Sequence, residues 1–206
     1  NGDHAFWQWY VNGKEVEGEV GVYAGESFDV TPKSQAITYA NGYFWVVDYH
    51  GTYEHGNKVH KYYLNGTPTG EYFNITIVRS SRFNGITYAN GYLWVVDDRT
   101  RAVYKYYLNG TYAKEKVALT LAFWEYVSPR GLTYANDHFW VTDYDDKKVH
   151  KYYLNGTYTN KYFNTTFEPH GLTYANGHFW VTDYNAKKVH KYHAGYLDSS
   201  QVKDGD

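Results

Sequence analysis

The sequence of 206 residues contains no cysteine, which removes disulfides and thiolate metal sites from consideration. It contains no methionine either, so residue 1 is not an initiator and Asn1 is read as lying downstream of a removed leader. No run approaches the ~18 apolar residues that a membrane span requires. Charge is close to balanced, with 20 basic against 22 acidic side chains, a net charge of −2 and no polybasic block. A nucleic-acid partner would leave an electropositive stripe, so none is expected. Motif chemistry is also missing: the chain has no Gly-x-Ser-x-Gly, no His-Glu-x-x-His and no Gly-x-x-x-x-Gly-Lys. Local signatures of a serine nucleophile, a zinc protease and a phosphate loop are therefore absent.

What the chain has in excess is aromatic side chains, 21% of the total with 26 tyrosines, and copies of itself. Gly171 to Tyr192 reads GLTYANGHFWVTDYNAKKVHKY, and near-identical stretches begin at Ala36, Gly85 and Gly131. Their tryptophans, Trp45, Trp94, Trp140 and Trp180, are spaced by 49, 46 and 40 residues. A repeat of that length cannot build its own core and must stack on its neighbours. Each copy reads as strands. An aliphatic and aromatic run is followed by Asn-Gly (Asn-Asp in the third copy), then by a second run of β-formers. A two-residue turn of this kind needs positive φ at both positions and is the strongest local hairpin signal. A third run, Val189 to Tyr192 in the last copy, alternates apolar with polar, and the three earlier copies continue through a second turn into a fourth run.

The Gly-Leu-Thr-Tyr-Ala-Asn-Gly-His-Phe-Trp-Val-Thr-Asp stretch of 171–183, with the Lys-Val-His-Lys-Tyr of 188–192, resembles the blades of NHL-type and YWTD-type propellers. The resemblance covers about four fifths of the chain, from Ala36 onward. The resemblance implies a propeller, and the four copies with their strand pattern make the expectation an all-β, four-bladed β-propeller of four-stranded antiparallel blades, fewer blades than those relatives usually have. One domain, 1–206, would then hold blades at 34–76, 83–123, 131–167 and 171–197, the last one partial, with a polar tail at 198–206. The segment 5–22 aligns turn on turn with the outer half of the third copy and is expected to complete the last blade, removing exposed sheet edges. Counting two strands there, four in each full copy and three in the last leaves one strand beyond sixteen. It is either irregular or available for pairing with another molecule.

Antiparallel strand order divides the loops between two faces. On one lie the Asn-Gly turns, and five Asn-x-Thr acceptors at Asn65, Asn74, Asn109, Asn155 and Asn164 mark the outer strands as candidates for N-glycosylation. On the opposite face each second strand ends in an aspartate: Asp48, Asp97, Asp143 and Asp183. Such residues accept backbone N–H groups of the loop that follows. The other reading is a hard cation such as Ca²⁺, although no calcium-loop motif is present and no cofactor is otherwise expected. Also on this face, Gln35, Asn84, Arg130 and His170 precede the innermost strands and form a ring of unlike polar groups near the axis mouth. With Tyr49, Tyr144 and Tyr184 they are the candidate ligand-binding residues. His60, His150 and His190 share one strand position with Tyr104, an interchange read as a solvated surface site.

The copies are so alike that no blade looks specialised, and the chain is expected not to be an enzyme, with no catalytic residue assigned. The leading expectation is an extracellular or cell-surface glycoprotein that associates with itself into a structural array or filament. The alternative is a carbohydrate- or protein-binding recognition module of lectin type, followed by a propeller lyase with His170 on the axis.

Overall fold

The computed structural model describes residues 10–11, 14–15, 27–31, 33–48, 57–75, 82–120 and 127–194. These form seventeen strands. A first hairpin pairs β1 (Tyr10–Val11) with β2 (Lys14–Glu15). The first sheet holds β3 (Ser34–Ala40), β4 (Tyr43–Asp48), β5 (Asn57–Tyr62) and β6 (Pro68–Ile75). The second holds β7 (Phe83–Ala89), β8 (Tyr92–Asp97), β9 (Ala102–Tyr106) and β10 (Tyr112–Ala118). The third holds β11 (Pro129–Ala135), β12 (His138–Asp143), β13 (Lys148–Tyr153) and β14 (Tyr158–Asn164). The fourth holds β15 (Pro169–Ala175), β16 (His178–Asp183) and β17 (Lys188–His193). Neighbours in sequence are neighbours in each sheet, and every pairing is antiparallel.

The innermost hairpins form as the sequence requires. Asn41 and Gly42 have φ of 49° and 83°, and the third copy puts Asn136 and Asp137 in the same left-handed region at 49° and 60°. Two positive φ values match the twist of the flanking strands. The outer turns are built differently. Gly66, Gly110 and Gly156 are left-handed, but Asn65, Asn109 and Asn155 are not. There the asparagine acts through its side chain, Oδ1 accepting the N–H of Thr67, Thr111 and Thr157 at 3.0 Å in each case.

The second strands of the second and third sheets, YLWVVD and HFWVTD, bury residues on both faces because a sheet covers each side, and YFWVVD of the first sheet buries its last four residues. Trp45, Val47, Val59 and Ile75 of the first sheet meet Phe83, Ile86, Leu93 and Tyr104 of the second. Trp94, Val96, Val103 and Val117 then meet Leu132, Phe139, Val141 and Tyr152, and Trp140, Val149 and Phe163 meet Phe179 and Val181. The indole N–H of Trp45, Trp94 and Trp140 donates to the carbonyl of Ala40, Ala89 and Ala135 at 3.2–3.3 Å. Each ring is thereby buried without an orphaned donor. The innermost strands stack in the order β3, β7, β11, β15. The four sheets are arranged as a four-bladed β-propeller, all-β as expected and without a helix among the described residues.

The fourth sheet differs from the other three in having three strands among the described residues. Its expected completion by residues 5–22 falls mostly outside the described residues, and the four that are described pair with each other, Tyr10 opposite Glu15 and Val11 opposite Lys14. Phe28 lies 5.6 Å from Phe44 and 6.0 Å from Tyr62 between ring centroids. It fills the space over Gly66 that Phe73 fills over Gly110 and Val117 over Gly156. Phe28 thus stands to the first sheet as the end of an outer strand stands to the next sheet.

Candidate functional site

Each innermost strand opens with a register shift against its partner, between Ser34 and Ala36, Phe83 and Gly85, Pro129 and Leu132, and Pro169 and Leu172. A bulge of this kind re-aims a side chain out of the ladder. Gln35, Asn84, Arg130 and His170 all sit at these bulges. The second strand of each sheet ends beside them, so that Asp98, Tyr144 and Tyr184, one residue beyond β8, β12 and β16, reach the same mouth of the axis.

Three sheets contribute to one connected network. Asp98 Oδ2 accepts from Asn84 Nδ2 at 3.1 Å and from Arg130 Nη1 at 3.0 Å. The Arg130 guanidinium lies 5.2 Å from the centroid of the Tyr144 ring. Tyr144 Oη donates to Glu168 Oε2 at 2.9 Å, and Asn185 Nδ2 donates to the same oxygen at 3.2 Å. The His170 ring meets Tyr144 edge-on at 5.3 Å and stacks on Tyr184 at 5.2 Å. Of the seven sequence candidates, Asn84, Arg130, His170, Tyr144 and Tyr184 come together here. Gln35 does not join them; its amide donates to Lys33 O at 3.2 Å and is exposed. Tyr49 lies outside the described residues. Glu168, the carboxylate that ties Tyr144 to Asn185, was not singled out from sequence, because it occupies a position between copies where no motif applies.

Burial and hydrogen bonding shift the titrating groups of this network. Burial pushes the Asp98 carboxyl above its usual range against the opposing pull of Arg130 and Asn84. Burial, reinforced by the nearby Arg130 charge, pushes the His170 imidazole below its usual value. The Tyr144 hydroxyl is raised by its hydrogen bond to Glu168 and by the charge of that carboxylate. The result is a neutral imidazole between two aromatic rings, beside a fixed guanidinium. Such a group can accept a proton or a hydrogen bond from a ligand at neutral pH.

The axis below the mouth is an open cavity of about 160 Å³ lined by Thr38, Thr87, Thr133 and Thr173 together with Ile37, Ile86, Leu132 and Leu172. One threonine is already engaged, Thr87 Oγ1 accepting Tyr134 N–H at 3.1 Å. The aspartates that end the second strands are buried one per sheet. Asp97 Oδ1 accepts from the N–H of Arg82 at 3.0 Å and of Arg99 at 3.1 Å. Asp143 Oδ1 accepts from Ser128 and Asp145 at 3.2 Å and from Asp146 at 3.3 Å, and Asp183 Oδ1 from Ala186 at 2.9 Å. At the histidine position of the third strands, His60 and His190 are part-exposed, at 21% and 37%, but the third copy is not the solvated surface site expected. His150 is buried, with Nε2 3.6 Å from Asp143 Oδ2. Position-by-position reading missed this because the aspartate sits on the adjacent strand.

A model of the NHL repeat matches residues 168–192. The chain is a four-bladed β-propeller carrying an NHL repeat. No curated sequence matches it. Solved propellers superpose on it at low identity. Glutaminyl cyclase of Myxococcus xanthus aligns with a TM-score of 0.62 and 12% identity over 77% of this chain and 65% of that one. A catalytically inactive histidine-to-alanine variant of virginiamycin B lyase from Staphylococcus aureus, with quinupristin, aligns with a TM-score of 0.53 and 17% identity over 79% of this chain and 56% of the lyase. A propeller in a nidogen/laminin complex aligns with a TM-score of 0.50 and 12% identity over 78% of this chain and 76% of that one. The propeller therefore spans under two thirds of the length of the cyclase and the lyase.

These superpositions overturn the expectation that the chain is not an enzyme. Two of the scaffolds it shares belong to enzymes, a cyclase and a lyase, at 12–17% identity, so enzymatic function is not excluded. Likeness among the blades does not decide the question. A propeller site gathers single residues from several blades at one mouth, leaving no local motif and requiring no blade to look unlike the rest. No helix among the described residues is long and apolar enough to cross a membrane.

Proposed function

We propose that this propeller is an extracellular or cell-surface glycoprotein that assembles with copies of itself, the last sheet of one molecule docking on the first sheet of the next. One contrast carries the reading. Ile37 and Tyr39 on β3 are 52% and 56% exposed, whereas Ile86 and Leu132, at the position of Ile37 in the next two sheets, are 3% and 2% exposed. At the other end Val189 on β17 is 60% exposed, while Val59, Val103 and Val149 at its position are fully buried. Both end sheets thus present faces whose repeats are core residues elsewhere in the molecule, the kind of surface that marks an interaction site. The two faces are different surfaces, so their contact is head-to-tail and propagates into a ring or filament. Asn65, Asn74, Asn109, Asn155 and Asn164 are all exposed on the outer strands and turns, where sugars would shield the rim and leave Ile37, Tyr39 and Val189 uncovered.

Electron microscopy and sedimentation of the native protein should find polymers. Ile37→Asp and Val189→Asp should each yield monodisperse monomer with unchanged circular dichroism. A wild-type protein that stays monomeric at high concentration, its end faces covered from within, would refute the assembly.

A second reading is favoured by the Arg130–Tyr144–His170 cluster, which pairs aromatic faces with amide, carboxylate and guanidinium groups as sugar or small-acid recognition requires. Arg130→Gln should move the titration midpoint of His170 upward, followed by NMR, because the repelling charge is gone. It should also abolish any shift of the His170 resonances on adding neutral or acidic sugars. Wild-type resonances that ignore such a ligand panel would remove this reading.

A further inference from the structure

An Asp–His pair recurs in the first sheet (Asp48 and His60, 3.7 Å) and the fourth (Asp183 and His190, 3.9 Å), but among the described residues only the third sheet buries it fully and adds a second carboxylate, Asp146. We propose that Asp143, Asp146 and His150 bind a divalent transition-metal ion of the Zn²⁺ type. The register of β12 and β13 pairs Val141 with His150 and Asp143 with Lys148, which places Asp143 and His150 diagonally on one face. One ligand atom from each of Asp143, Asp146 and His150 lies within 4.8 Å of the others.

The buried pair is what calls for a cation. The Asp143 side chain is 0% exposed and that of His150 is 3% exposed. Asp143 Oδ1 takes three backbone N–H groups, but Oδ2 has no hydrogen-bond partner, and neither has His150 Nε2. These two atoms face each other at 3.6 Å, too far for a hydrogen bond. The other ring nitrogen, Nδ1, is 3.2 Å from Tyr158 Oη. In the tautomer whose Nδ1–H donates to that hydroxyl, the Nε2 lone pair faces the carboxylate across the gap; in the other tautomer a bound metal takes the place of the Nε2 proton. A metal bound at ~2.0–2.1 Å to each, in a tetrahedral arrangement, separates its ligand atoms by ~3.3 Å, close to the gap observed. A histidine ligand whose second N–H is held by a hydrogen bond is the usual outer arrangement of such sites. Imidazole in the set favours Zn²⁺, Co²⁺ or Ni²⁺ over Ca²⁺.

The second sheet shows the same positions closed without a metal. Thr100 replaces Asp146 and Tyr104 replaces His150; Thr100 Oγ1 donates to Asp97 Oδ2 at 2.7 Å and Tyr104 Oη donates to Thr100 Oγ1 at 3.1 Å. In the fourth sheet Ala186 stands where the third has Asp146. Asp146 is also paired with Lys148 Nζ at 3.1 Å, but this is a half-exposed ion pair of the kind that contributes little and can yield to a dication.

The test is titration of the full chain with Zn²⁺ by calorimetry and with Co²⁺ by visible absorption. One equivalent should bind at this site with the ligand-field spectrum of a low-coordinate nitrogen–oxygen site. Asp146→Asn, an exposed change that leaves the core alone, should weaken binding at least tenfold. The double variant Asp146→Thr, His150→Tyr, which copies the second sheet, should eliminate it. His178→Ala must leave it intact, because His178 and His193 form a separate exposed pair, 2.9 Å apart. No binding of Zn²⁺ or Co²⁺ by the wild type at millimolar concentration would overturn the proposal. So would equal binding by the Asp146→Asn and double variants, binding lost in His178→Ala, or displacement of the bound metal by equimolar Ca²⁺.

Discussion

Gly131→Ala is expected to destabilise the propeller by about 3 kcal/mol, at the upper end of what overpacking normally costs, and to lower its melting temperature by roughly 6–12 °C. A Cβ on Gly131 would lie 2.4 Å from the carbonyl oxygen of His170, 2.8 Å from Leu172 N and 2.9 Å from Leu172 Cβ. Two of these are backbone atoms of the neighbouring innermost strand, so no side chain can swing away and the whole stacking of β11 on β15 must open. Gly85→Ala meets Leu132 N at 2.7 Å and Arg130 O at 2.9 Å and should cost nearly as much. Gly171→Ala meets only the Thr182 side chain, at 3.0 Å and beyond, and should cost under about 1 kcal/mol, the ordinary range for a tolerated change. Thermal melts of the three variants check the order. Equal melting temperatures for Gly131→Ala and Gly171→Ala would show that the innermost strands do not stack this closely.

The second large effect is expected at Asp143. Removing its carboxylate in Asp143→Ala leaves the N–H groups of Ser128, Asp145 and Asp146 without their acceptor. At about 1–3 kcal/mol for each buried donor left unmade, with the loop partly open to water, the loss should be on the order of 3–5 kcal/mol. The same residue sets an acid limit. Burial pushes the Asp143 carboxyl up, but His150 and the Ser128 and Asp146 N–H groups together outweigh burial and hold it below its ordinary value of 3.8. A carboxyl depressed in the folded state contributes stability that is complete above 3.8 and is lost as the pH falls through the lower folded value. Urea midpoints of the wild type should therefore fall below pH 3.8 more steeply than those of Asp143→Asn. Parallel profiles for the two proteins would mean that the carboxylate is not held in this way.

How far the sequence reaches is clearest when two positions are compared. Asn41-Gly42 and Asn136-Asp137 announce their hairpins because a turn of two left-handed residues is a local event, decided by the residues themselves. The tryptophans and the alternation around them fix four sheets for the same reason, since a repeat too short for its own core must stack. The polar residues ahead of the innermost strands were also visible, because equivalent positions of the second, third and fourth copies align in space, although Gln35 of the first stays apart. Arg130 and His170 could be paired with Tyr144 and Tyr184 from topology alone. Glu168 could not, since it lies between copies, and neither could the bulges that turn these side chains toward the axis mouth. His150 was misplaced because its burial depends on a diagonal neighbour one strand away. The expectation of no enzymatic function did not follow from the likeness of the blades, because similarity among them says nothing about what their loops hold in common.

The ordered stacking of the innermost strands also governs how the molecule comes apart. The second and third sheets are clamped by neighbouring sheets on both sides, while the first and fourth each pack against one sheet among the described residues, the first with Phe28 on its other side. In an array of this kind, strength is a sum over nearest-neighbour contacts, so loosening begins at the flanks and the middle pair opens last. Whatever binds the flanking sheets would therefore act as a lock on the whole propeller.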